Sequence, residues 1–129
     1  MATILITGCS SGIGKHCALR LHEEGWNVVA TARKPDDIAM LQEAGLTGVY
    51  LDYTDGTSLA GAVGVALEAG GGRIDALFNN GAYGQAGAVE DISTDVLRRQ
   101  FEANFFGWHE LTNLVLPHMR KAGQGRIVH

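Results

Sequence analysis

Hydrophobic and polar positions follow two different periods along this chain, and each change of period marks an element. Residues 3–7, Thr-Ile-Leu-Ile-Thr, are a short β-branched run ending at Gly8, which reads as a buried strand. From Gly12 the period lengthens: Ile13, Cys17, Ala18 and Leu21 recur at helical spacing, and Gly25 ends the pattern. Residues 26–32 read as a second buried strand. Pro35 stands where a helix can begin, Asp36 and Asp37 suit its first turn, and Gly45 ends it. Residues 49–51 are predicted as strand three and residues 74–78 as strand four. Between them, residues 57–69 read as a helix weakened by Gly61 and Gly64.

Residues 93–122 keep the helical period throughout, through Leu97, Phe101, Asn104, Phe105, Trp108, Leu111 and Val115. A straight helix of that extent would be about 45 Å long, longer than a small domain is wide. It is expected to bend or break near Gly107 or Pro117. Residues 126–128 begin a fifth strand, within which the chain ends. Strands that alternate with helices imply an α/β fold with parallel strands joined by right-handed crossovers. No composition shift divides the chain, so residues 1–129 are read as one domain.

Composition narrows the function classes. The chain has 129 residues, 46% hydrophobic and 19% charged, with a net charge of −4 and no basic run. That excludes an obvious nucleic-acid or membrane-surface binder. Two cysteines, Cys9 and Cys17, make neither a disulfide framework nor a zinc spacing. The five histidines show no metal-ligand clustering, so no metal site is expected. The apolar runs are strand-length and no basic segment precedes the first, so a cytoplasmic protein is the expectation.

The candidate chemistry lies in the loops that follow the strands. Thr7-Gly8-Cys9-Ser10-Ser11-Gly12-Ile13-Gly14 places three glycines between a strand and a helix start. There the backbone can approach a ligand closely, and the free N–H groups and helix dipole favour a pyrophosphate. The plainer reading is a tight strand–helix turn. Strand two ends in Arg33 and Lys34, where an acid would otherwise meet a ribose 2′-hydroxyl. A guanidinium there suits a 2′-phosphate, which favours NADP over NAD. Asp52, after strand three, could accept from an adenine amine or simply cap a turn. Asn79-Asn80-Gly81-Ala82 is a turn on the same edge. Asn104, flanked by aromatic residues, should be partly buried and need partners.

Taken together these residues resemble the short-chain dehydrogenase/reductase family: Thr7-Gly8-x-x-x-Gly12-Ile13-Gly14, Asp52, Asn79-Asn80-Gly81-Ala82 and Asn104, in that family's order. The resemblance covers the whole chain but only the N-terminal portion of the family's domain. It implies a doubly wound parallel sheet, the Rossmann fold, incomplete on its C-terminal side. It implies NADP contacts from Gly8, Ser10, Ser11, Gly12, Ile13 and Gly14 at the phosphates and from Arg33 and Lys34 at the 2′-phosphate. Asp52 and Tyr53 would flank the adenine, and Asn80, Gly81 and Ala82 would lie at the cofactor ribose. Asn104 would match the family's catalytic Asn, which supports a water in a proton relay. The implied reaction is hydride transfer between NADP(H) and a small carbonyl or alcohol substrate. Apart from the resemblance, an open edge at strand five and aromatic surface on the long helix would push the chain to associate, so a homo-oligomer through the long helix is expected.

Two departures stand out. The family's Asn-Asn-Ala-Gly is here Asn-Asn-Gly-Ala, which places a Cβ one residue later. The family's catalytic Ser and Tyr-x-x-x-Lys are absent from these residues: Tyr50, Tyr53 and Tyr83 are followed four residues on by Thr54, Thr57 and Gly87. The competing reading is a nucleotide-binding or assembly module without catalysis.

Overall fold

A computed structural model describes residues 1–129. Five parallel strands form one sheet in the order β3-β2-β1-β4-β5. They are β1 (Thr3–Ile6), β2 (Asn27–Ala32), β3 (Thr47–Tyr50), β4 (Ala76–Phe78) and β5 (Arg126–Val128). The helices between them are α1 (Gly12–Glu23), α2 (Pro35–Glu43), α3 (Gly56–Ala69), α4 (Thr94–Phe101) and α5 (Gly107–Ala122). The pleat sorts the strand residues onto two faces. Leu5, Val29 and Leu77 pack with Leu59, Val63, Leu111 and Val115 of α3 and α5. Ile4, Ile6, Val28 and Ala30 pack with Ala18 of α1 and Leu41 of α2. Helices therefore cover both faces, as a doubly wound sheet requires.

The element bounds differ locally from the periodic reading. Trp26 lies outside β2, because its N–H closes the end of α1 on the Leu21 carbonyl. β3 starts two residues early, at Thr47. α3 starts at Gly56, with Asp55 accepting from the N–H groups of Thr57 and Ser58. A short 3-10 turn at Val89–Asp91 has no counterpart in the sequence reading.

The long helix breaks beside one of the two expected residues, Gly107, and not at Pro117. Gly107 is helical (φ −61°, ψ −40°), and Pro117 lies inside α5. The irregularity is a π-helical stretch, Glu102–Phe106, which lies between α4 and α5 and ends directly before Gly107. Gly107 serves close packing: a Cβ there would lie 2.5 Å from the Cβ of Tyr53. Along α4 and the π stretch, Leu97, Phe101 and Phe105 stay exposed, and the rings of Phe101 and Phe105 are 6.2 Å apart. No helix is long and apolar enough to cross a membrane.

Candidate cofactor-binding site

Strand order reverses direction between β1 and β4, so the chain leaves these neighbouring strands toward opposite faces and opens a crevice at their carboxyl ends. A cleft of about 270 Å³ lies there. It is lined by Gly8, Ser10, Ser11, Arg33, Asp52, Tyr53, Asn80, Gly81 and Ala82, together with Thr7, Ala32, Leu51, Tyr83 and Ala103. The loops after all four of the first strands thus meet at one place. Gly12, Ile13, Gly14, Lys34 and Asn104 lie outside that lining.

The glycine loop is shaped by close approach. Gly8 has φ +67°, and a Cβ on it would stand 2.6 Å from the Cα of Gly81. A Cβ on Gly14 would run into the Gly8 carbonyl. Cys9, fully buried, anchors the loop by donating its N–H to the Thr31 carbonyl (2.8 Å) and its Sγ–H to the Ile6 carbonyl (3.3 Å). Burial pushes this thiol up to about 12, so it is a packing group rather than a nucleophile.

The start of α1 is open to an anion. Ser11 stands at its N-cap without making a side-chain cap bond, and no acidic residue occupies the first turn. The contrast with α3, closed by Asp55, is direct. Ser10, Ser11 and Ile13 are exposed beside it. Arg33 is exposed at the cleft rim, and none of the chain's ion pairs involves it. Asp36 and Asp37, its plainest partners by sequence, do not bind it. Lys34 occupies the N-cap position of α2.

Asp52 uses one oxygen for its own turn: Oδ1 accepts from Thr54 N–H (2.9 Å) and Thr54 Oγ1–H (2.7 Å). Oδ2 makes no bond within the protein. Tyr53 does not turn its hydroxyl to the cleft. It is buried, with its Oη 2.6 Å from Thr7 Oγ1 and donating to Asn79 Oδ1 at 2.8 Å. Burial raises its phenol well above the usual range. Asn79 Nδ2 continues the chain of bonds to Thr112 Oγ1 on α5 (3.2 Å).

Sequence reasoning named Thr7 only as the first residue of the glycine motif and assigned it no role, yet it stands at the centre of this arrangement. Its Oγ1 accepts from both the Asn80 and Gly81 N–H groups at 2.9 Å. Sequence reasoning also missed the role of Trp108, whose indole N–H donates to the Gly81 carbonyl at 2.8 Å. For Thr7 the available signals were its place at the head of the glycine motif and at the end of a largely apolar strand. The Gly-Ala inversion is accommodated without strain, because no residue other than glycine has positive φ.

Asn104 sits in the π stretch, half-buried. Its Oδ1 accepts from the Tyr83 N–H (3.1 Å) and its Nδ2 donates to the Tyr83 carbonyl (2.6 Å). It clamps the start of the exposed 82–91 segment. One lone pair and one N–H remain for a further partner. No group of three or more His, Cys, Asp or Glu side chains converges to hold a metal.

The short chain dehydrogenase model matches residues 2–129. The chain belongs to this family. It is 42% identical over 98% of its length to an uncharacterized oxidoreductase of Escherichia coli, YbbO, covering 47% of that protein. It is 39% identical over 97% of its length to the 3-ketodihydrosphingosine reductase of Bacteroides thetaiotaomicron, covering 45% of it. Among solved structures, an actinorhodin polyketide ketoreductase with NADPH superposes with a TM-score of 0.87 at 31% identity. That match spans 98% of this chain and 53% of the other. The chain therefore spans about half the length of the family members it matches, and the shared half carries the Rossmann sheet. The family binds NAD(P) and acts on small molecules as an oxidoreductase.

Proposed function

We propose that this chain forms the NADP(H)-binding half of a short-chain oxidoreductase acting on a carbonyl or alcohol carbon. The observation that carries the proposal is Arg33: an exposed guanidinium without an ion-pair partner, on the rim of the cleft that the glycine loop closes. A 2′-phosphate is the group such a fork suits, and a ribose lacking it would find no acid there. The NADPH-bound ketoreductase relative is consistent with this choice.

In this reading the bound cofactor supplies or accepts the hydride. The residues of this chain bind and orient it. The open N-terminus of α1, with Ser10, Ser11, Gly12 and Ile13, takes the pyrophosphate. Gly8 and Gly14 let the loop pack closely against Gly81 and Asn80, which fixes its shape at that helix start. Arg33, with Lys34 beside it, holds the 2′-phosphate. Oδ2 of Asp52 accepts from the adenine amine, with Tyr53 packed below. Asn80 has spent both amide hydrogens within the protein, so its Oδ1 is left to accept from the ribose near Gly81 and Ala82. The remaining hydrogen-bond capacity of Asn104 is what a relay water would use. At the α4 face, Phe101 and Phe105 offer a surface to a second copy of the chain.

The test is Arg33→Ala. NADPH affinity is expected to fall by roughly tenfold or more while NADH affinity changes by less than about twofold, the asymmetry expected of a lost charge-assisted bond to phosphate. Equal losses for the two cofactors would refute the NADP assignment.

A further inference from the structure

Tyr53 occupies a position between two glycines. A Cβ on Gly81 would lie 3.2 Å from its ring carbon Cε2, and a Cβ on Gly107 would lie 2.5 Å from its Cβ. Its ring centre is 6.2 Å from that of Trp108, the residue that holds the Gly81 carbonyl. The ring thus fills the space beside Gly81 that a side chain at residue 81 would compete for. The ring lies closer still to Gly107, where a Cβ would stand 2.9 Å from its ring carbon Cδ1, so both glycines border it.

The hydroxyl of Tyr53 sets the direction of the hydrogen bonds around it. Asn79 Oδ1 can only accept, so the single Tyr53 proton goes to it. Thr7 Oγ1 already accepts from the N–H groups of Asn80 and Gly81. Its own proton therefore points at the Tyr53 oxygen, 2.6 Å away, in preference to the Phe78 carbonyl at 3.4 Å. In that orientation both Thr7 lone pairs face the two amides. We infer that Tyr53 is a positioning residue for the cofactor turn: through Thr7 it aims the Asn80–Gly81 backbone, and with Gly81 it forms a matched pair. The inference rests on the cofactor reading above for its functional consequence, but its structural part is independent of it.

The experiment compares Tyr53→Phe and Thr7→Val with the unaltered chain and with Thr7→Ser, which keeps the hydroxyl. Calorimetric NADPH and NADH titrations are run at a temperature where circular dichroism shows every variant folded. Amide hydrogen exchange is followed by NMR. Tyr53→Phe is expected to weaken NADPH and NADH alike, by about tenfold, because the turn serves both cofactors. Thr7→Val should match it, the double variant should be no weaker than the weaker single one, and Thr7→Ser should bind like the parent. The Asn80 and Gly81 amides should exchange about tenfold faster, with β1 and β4 amides unchanged. Parent-like binding and parent-like turn exchange in Tyr53→Phe would overturn the inference, leaving Tyr53 a core side chain only. If the unaltered chain binds neither cofactor, the cofactor reading fails, and the exchange data alone decide. Acceleration confined to the turn would uphold the positioning role, and a uniform change would overturn it.

Discussion

The carboxamide of Asn80 ties the turn after β4 to the turn after β1: its Nδ2 donates to the carbonyls of Thr7 at 3.1 Å and of Gly8 at 3.2 Å. The two loops that form the floor of the cleft are therefore one unit. Asn80→Ala removes the donor and leaves two half-buried carbonyls without it. Asn80→Asp turns an acceptor toward them, which adds repulsion. We expect losses of about 1–3 kcal/mol for Ala and more for Asp in urea denaturation. An Asp variant as stable as the Ala variant would show that the clamp does not hold these loops together.

The periodic part of the fold is legible in the sequence because it is local. Each strand announces itself as a short contiguous apolar run, and each helix by which neighbours three or four residues away are apolar. The clustering of Gly8, Arg33, Asp52 and Asn80 is legible for a related reason: each follows a strand, and parallel strands deliver their ends to one edge. The inward turn of Tyr53 is not legible. It depends on Thr7, Asn79 and Gly107, which lie 46, 26 and 54 residues away along the chain. The π stretch at Glu102–Phe106 is hidden for the opposite reason, since one shifted turn barely disturbs a helical hydrophobic pattern.

Asn104 binds both backbone polar groups of Tyr83, and the segment beyond is exposed as far as Asp91. Asn104→Leu should release that segment. Limited proteolysis with mass analysis is expected to show faster cleavage within residues 82–91, with the thermal midpoint lowered only slightly. Cleavage at the parental rate would mean that the segment is held by something other than this clamp.

Alkaline pH should weaken the fold through Cys9. Its thiol is pushed from 9.0 up to about 12 by burial. Above pH 9 the unfolded chain loses a proton that the folded chain keeps. Stability is thus complete below about pH 9 and declines as pH rises toward about 12. Tyr53 acts in the same direction, also through burial. Cys9→Ala should flatten this alkaline limb in part, as read by urea denaturation across pH. An unchanged limb would show that Cys9 is not protected as its burial implies. At neutral pH, a thiol reagent should modify half-exposed Cys17 well before Cys9.

The central claim is that the cleft at the carboxyl ends of β1 and β4 holds NADP(H) through the glycine loop and Arg33. Calorimetric titration of the purified chain with NADPH and, separately, NADH tests it most directly. Saturable one-to-one binding of NADPH, at least about tenfold tighter than NADH, is the predicted result. Binding of neither cofactor, or equal binding of both, would contradict the account.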